Sequence, residues 1–139
     1  MKIETAAEAC AALAAMIVAA DELGTDAERQ FLFDTVAALP IFAGLDQVQF
    51  SRLMSTTTED LYASFAFEGT RMASDDVGRL VGMICDALPE DQRAQALEAA
   101  VGLARVDGMV SVEALLLQRI CEGLELDHEA ARRLIGPEA

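Results

Sequence analysis

Five carboxylates are placed where they could act together: Asp21, Glu22 and Glu28 early in the chain, and Asp107 and Glu113 late in it. Both groups read as turns between helices. An Asp closes one apolar segment, a Thr or Ser (Thr25, Ser111) can cap the next, and a Glu falls in that helix's first turn. Carboxylates are the hard oxygen ligands that Mg²⁺, Ca²⁺ and Mn²⁺ prefer, so a few of them on one face would make a partial divalent-cation site. An anion at a helix C-terminus is disfavoured by ~0.3–1 kcal/mol, and a bound cation would offset that. Two other readings stand beside this one. Each Asp can bond the free N–H groups of the following helix, with Glu28 and Glu113 as capping and dipole partners. Alternatively, the acids form a face that docks a basic protein partner.

No catalytic constellation accompanies them. Counted as a twelve-residue calcium loop from Asp21, the sequence puts Leu32 where the bidentate Glu belongs, which excludes an EF-hand. His128 is the one histidine, with no second His and no Cys at ligand spacing. Cys10, Cys85 and Cys121 are widely spaced among apolar neighbours and form no C-x-x-C, as expected of reduced, buried thiols. Gly-rich phosphate loops, nucleophile elbows and Ser/His/Asp sets are absent. The expectation is a protein that is not an enzyme.

Composition sets the class. The chain has 139 residues, 53% of them hydrophobic, which suits a single domain over residues 1–139 rather than a disordered acidic chain. Lys and Arg number 10 against 24 Asp and Glu, a net charge of −14, which argues against nucleic-acid phosphates and anionic membrane surfaces as partners. Aromatic residues are 5% and Trp is absent, so the core must be mostly Ala, Leu, Val, Ile and Met. The apolar run Cys10–Ala20 sits behind Lys2 like a signal-peptide core, but Glu4 and Glu8 occupy the region that should be positive. It is also shorter than the ~20 residues that span a bilayer. It reads as the first helix of a cytoplasmic protein.

Apolar residues recur every three to four positions, and no long stretch alternates with period two, so the fold class is all-α with seven or eight helices. Helix one is expected from about Glu4 to Glu22, with Cys10, Leu13, Ile17 and Ala20 on one face. Helix two opens at Thr25 with a stripe of Phe31, Leu32, Thr35, Val36 and Leu39, and Pro40 stops it. Asp46 starts a third, which turns Phe50, Leu53 and Met54 inward and is expected to end at Thr56–Thr58, three β-branched residues in a row. A short helix then runs to about Phe67 and closes near Gly69. Ser74 opens the next (Leu80, Ile84, Leu88 inward). Pro89 precedes another from Glu90 to about Val106, with Leu97, Val101 and Ala104 as its stripe. After an Asp107-Gly108 turn, Ser111 caps a helix carrying Leu116, Leu117, Ile120 and Leu124 inward, and Asp127 caps a last one.

The first and last helix pairs resemble each other. Placing Asp107 on Asp21 pairs Leu103 with Ile17 and Ala104 with Val18; after a one-residue gap Glu113 meets Glu28, Leu116 meets Phe31, Leu117 meets Leu32 and Leu124 meets Leu39. A helical hairpin alone cannot bury its stripe, so two similar hairpins related by a pseudo-twofold axis are expected.

Two segments carry a family resemblance. Leu88-Pro89-Glu90-Asp91-Gln92-Arg93, followed by Ala104-Arg105-Val106-Asp107-Gly108-Met109-Val110-Ser111-Val112-Glu113, resembles the TerB-type tellurite-resistance domain, with its A-x-x-D-G turn, Ser or Asp cap and Glu. Ala19 to Glu28 is similar to the family's first acidic turn, departing from it in Glu22, where Gly is common, and in one extra residue before Glu28. The resemblance implies an all-helical bacterial protein of tellurite, metal or chemical stress, with clustered acids associated with metal binding.

Overall fold

The computed structural model describes residues 3–20, 26–65, 67–68, 71–72, 74–106, 117, 119–120 and 122–125; for residues 19–20, 28, 67–68, 71–72 and 74 it describes the backbone alone. Five α-helices are assigned within them: α1 (Ala6–Ala20), α2 (Asp26–Phe31), α3 (Gln47–Ser64), α4 (Ser74–Ala87) and α5 (Glu90–Arg105). The backbone is helical again at 117, 119–120 and 122–123. The all-α expectation stands. The full helix count and the pseudo-twofold relation involve residues 21–25, 107–116 and, for the last helix expected from Asp127, 126–139, which lie outside the described residues.

The core is organised around α1. Thr5 opens it: its hydroxyl accepts the Glu8 N–H at 3.1 Å and donates to the Glu8 carboxylate at 3.1 Å. From Ala9 to Ile17 every residue is buried, so the helix has no solvent face over its middle turns. The sequence pattern suggested one inward face. The reason for the difference is that Ala fills the positions between Cys10, Leu13, Met16 and Ile17, and a helix apolar all round is buried all round. Helices α3, α4 and α5 all pack directly on it.

Helix α2 passes without a break into a π-helical segment, Leu32–Val36, and Pro40–Phe42 forms a 3-10 turn. The wider π turn rotates the expected stripe. Thr35 is exposed instead of buried, while Val36 is fully buried and Phe33 turns inward, its ring packing edge-on to Phe50 at 5.6 Å. Leu39 is extended ahead of Pro40, as the proline ring demands. Phe42 meets the other side of this cluster, 5.1 Å from Phe50 and nearly perpendicular to it.

Helix α3 begins at a full capping box. Asp46 Oδ1 accepts the Gln49 N–H at 2.8 Å, and Gln49 Oε1 accepts the Asp46 N–H at 2.9 Å. The threonine run does not end this helix, which continues through Thr56–Thr58 to Ser64. Thr58 donates its hydroxyl to the Met54 carbonyl one turn back at 2.8 Å, and Thr57 is buried in line with Phe50 and Leu61. Propensity penalties of a few tenths of a kcal/mol per residue lose to that burial. The short helix expected to reach Phe67 is therefore the end of α3, and Phe67–Glu68 pairs antiparallel with Arg71–Met72, with Phe67 opposite Met72. Gly69 lies outside the described residues.

Helices α4 and α5 follow their sequence pattern closely. Leu80, Ile84 and Leu88 are buried from the first, and Leu97, Val101 and Ala104 from the second. Pro89 is extended (φ −57°, ψ 148°) immediately before α5, where its missing N–H costs nothing. Leu117, Ile120 and Leu124 are each buried, as expected of the helix that carries them.

Candidate functional site

The acidic set divides across the boundary of what is described. Asp21, Glu22, Asp107 and Glu113 lie outside the described residues, and so does His128. Glu28 is placed through its backbone, in the first half of α2. Among the described residues no group of three or more His, Cys, Asp or Glu side chains could hold a metal ion.

The fold does bring the end of α2 onto α5. Gly102, in the last turns of α5, lies against the ring of Phe31 at the end of α2. A Cβ placed on Gly102 would be 2.7 Å from Phe31 Cζ. Only a residue without a side chain lets the ring lie so close. Glu28 is one helical turn before Phe31 on α2, about 5 Å along its axis; Asp107, five positions after Gly102 in the sequence, lies outside the described residues. Ile17 and Leu103 are both fully buried, whereas Ala104 is buried and Val18 half-buried. At the exit of α5 the Val106 N–H reaches back to the Leu103 carbonyl at 3.4 Å, a tightened last turn leading toward Asp107.

The segment Leu88 to Arg93 has a structural role that its residue types do not announce. The Arg93 guanidinium, 18% exposed, donates from Nε to the Leu88 carbonyl at 3.2 Å and from Nη2 to the Cys85 carbonyl at 3.1 Å. Its Nη1 donates to the Leu124 carbonyl at 3.4 Å, with Glu125 Oε2 at 3.9 Å. Carbonyls at a helix C-terminus have no partner within the helix and carry its negative dipole end, so one planar cation satisfies and neutralises two such ends. An Arg just inside a helix start is the signal available in sequence. Nothing in its spacing identifies Leu124 as a partner.

The two described cysteines are buried and reduced. Burial pushes the Cys10 thiol up to about 12. It also raises Cys85, partly countered by Arg93 and reinforced by Glu125 and Asp86. A neutral buried thiol is neither a nucleophile nor a metal ligand, in line with the sequence expectation.

The family described as Tellurite resistance protein TerB matches residues 7–135. The chain belongs to the TerB family. That span takes in all five candidate acids and all of the described helices except the first residue of α1. No curated protein and no solved structure matches the chain. Membership accords with the all-helical fold, and among the described residues no TerB helix is long and apolar enough to cross a membrane.

Proposed function

We propose that this TerB protein serves in the response to tellurite, metal or related chemical stress by binding a divalent cation, without catalysing a reaction. The ligands would come from Asp21, Glu22, Glu28, Asp107 and Glu113. The observation that carries this reading is the packing of Phe31 on Gly102, which brings the helix holding Glu28 onto the helix that leads to Asp107. The donor set fits the ion class. Carboxylates at helix junctions suit Mg²⁺, Ca²⁺ or Mn²⁺, and the absence of paired His and Cys ligands in the sequence disfavours softer metals. Bound by these carboxylates, the ion would offset the repulsion between them.

Elemental analysis of the purified protein, followed by titration of the chelator-treated protein with Mg²⁺, Ca²⁺ and Mn²⁺, tests the proposal. Stoichiometric, saturable binding of one cation should raise the melting temperature. Asp107→Asn should abolish the rise while melting like wild type in chelator. A wild-type melting temperature indifferent to all three ions, or a rise that Asp107→Asn retains in full, would overturn it.

A further inference from the structure

Among the described residues the large apolar side chains left most open are Leu45 (38% exposed), Val48 (65%) and Tyr62 (50%), and all three belong to α3 or its entry. Helix α3 buries Phe50, Thr57 and Leu61 against the core. Its opposite side carries Val48, Arg52, Ser55, Glu59 and Tyr62, all exposed and spaced four, three, four and three residues apart. That spacing holds them in one line about 21 Å long. A shallow groove of about 540 Å³ runs beside its first half, lined by Phe33, Gln47, Val48, Ser51, Arg52 and Ser55. Among the described residues no acid lines this groove, although the chain's net charge is −14. Neither Arg52 nor Glu59 forms an ion pair with another described residue.

The line is complementary to itself when reversed. Read from Val48 it runs apolar, basic, small, acidic, apolar, with Ser55 at the centre. We propose that α3 is a self-association surface, on which two copies of this chain pack antiparallel about a two-fold axis beside Ser55. A two-fold axis makes every contact occur twice. Arg52 of each copy then faces Glu59 of the other, and Val48 faces Tyr62. The small Ser55 allows close approach at the axis, and the groove beside Phe33 and Val48 receives the Tyr62 ring of the second copy. A parallel arrangement would instead oppose Arg52 to Arg52 and Glu59 to Glu59, so charge selects the antiparallel one. One helix face buries area at the small end of specific interfaces, and two chains of charge −14 repel, so the dimer is weak and concentration-dependent. It does not depend on a bound cation.

Sedimentation equilibrium on the full chain in chelator, from about 10 µM to about 1 mM protein and at about 0.15 M salt, reads this directly. The wild-type mass should climb toward that of two chains. Arg52→Glu and, separately, Val48→Asp should hold the mass at one chain over the same range. The double exchange Arg52→Glu/Glu59→Arg reverses the pair while keeping its complementarity, and should restore the dimer. All variants lie on an exposed face and should keep the wild-type helical circular dichroism. A wild-type chain monomeric throughout, a dimer that Arg52→Glu leaves intact, or a double exchange that stays monomeric with an unchanged spectrum would each overturn the proposal.

Discussion

Arg93 Nη1 donates to the carbonyl oxygen of Leu124, 31 positions further along the chain. The same guanidinium holds Cys85 and Leu88, so the end of α4, the start of α5 and the buried Leu117–Ile120–Leu124 segment meet on one side chain. A lysine would bring its three donors to a single point on a flexible stem. The fork of the guanidinium satisfies all three at fixed angles.

Removing that cation should cost more than its partial ion pair would suggest. In Arg93→Met the three carbonyls lose a charged donor, an expected loss of about 2 kcal/mol, or roughly 5–10 °C in melting temperature. Glu125, 78% exposed and 3.9 Å away, contributes little, so Glu125→Gln should change stability by less than about 0.5 kcal/mol. Hydrogen exchange separates a local from a global effect. The Leu124 N–H, bonded to Ile120 at 2.9 Å, should lose more protection in Arg93→Met than amides in the middle of α5.

Glu125 itself adopts φ 57°, a left-handed backbone that a side chain disfavours, immediately after the helical turn that ends at Leu124. Glu125→Gly should relieve this and raise the unfolding free energy by about 0.5–1 kcal/mol. Urea unfolding that shows a loss instead would mean the carboxylate's approach to Arg93 outweighs the backbone strain.

Two helical glycines should respond to alanine with opposite signs. At Gly82 in α4 an added Cβ meets nothing within 4 Å, so Gly82→Ala should stabilise by about 0.5–1 kcal/mol through helix propensity. At Gly102 the same atom falls 2.7 Å from the Phe31 ring. Overpacking of that kind costs about 1–3 kcal/mol, so Gly102→Ala should be net destabilising. Phe31→Leu in the same chain should recover part of the loss, and a double-mutant cycle measures how much.

Periodicity and boundary residues together located α4 and α5 to within a residue or two: Leu80, Ile84, Leu97 and Val101 recur four apart, and Ser74 and Pro89 mark the helix starts. It misread α3 at Thr56–Thr58, where local propensity opposed a burial that becomes visible only once α1 is packed against that face. Thr35 failed for a different reason: a π turn shifts the phase of the stripe, and no residue type signals it. Of the proposed acidic set, the sequence supplied the residue types, and four of the five lie outside the described residues. The approach of Phe31 to Gly102 depended on a glycine whose value lies in what it lacks. Arg93 was visible within the family-like segment, but its partners belong to two separate stretches of chain, Cys85–Leu88 and Leu124–Glu125, which spacing cannot connect.

The buried thiol of Cys10 gives a pH signature with a definite sign. Its ordinary value is 9.0, and burial in the middle of α1 pushes it up to about 12. The folded state therefore keeps the proton that the unfolded chain gives up, and this contribution to stability is fully present below pH 9. As pH rises from there toward 12 it is lost, at a slope approaching 1.4 kcal/mol per pH unit. Other groups titrate over the same range, so the quantity to measure is the difference between wild type and Cys10→Ala in urea unfolding from about pH 7 to 11. The alanine variant loses packing by a constant amount, which shifts the difference without tilting it. Between pH 7 and 8 the two curves should run parallel, and above pH 9 wild type should fall faster. Parallel curves to the top of the range would mean that the thiol ionises in the folded protein as readily as in the unfolded chain.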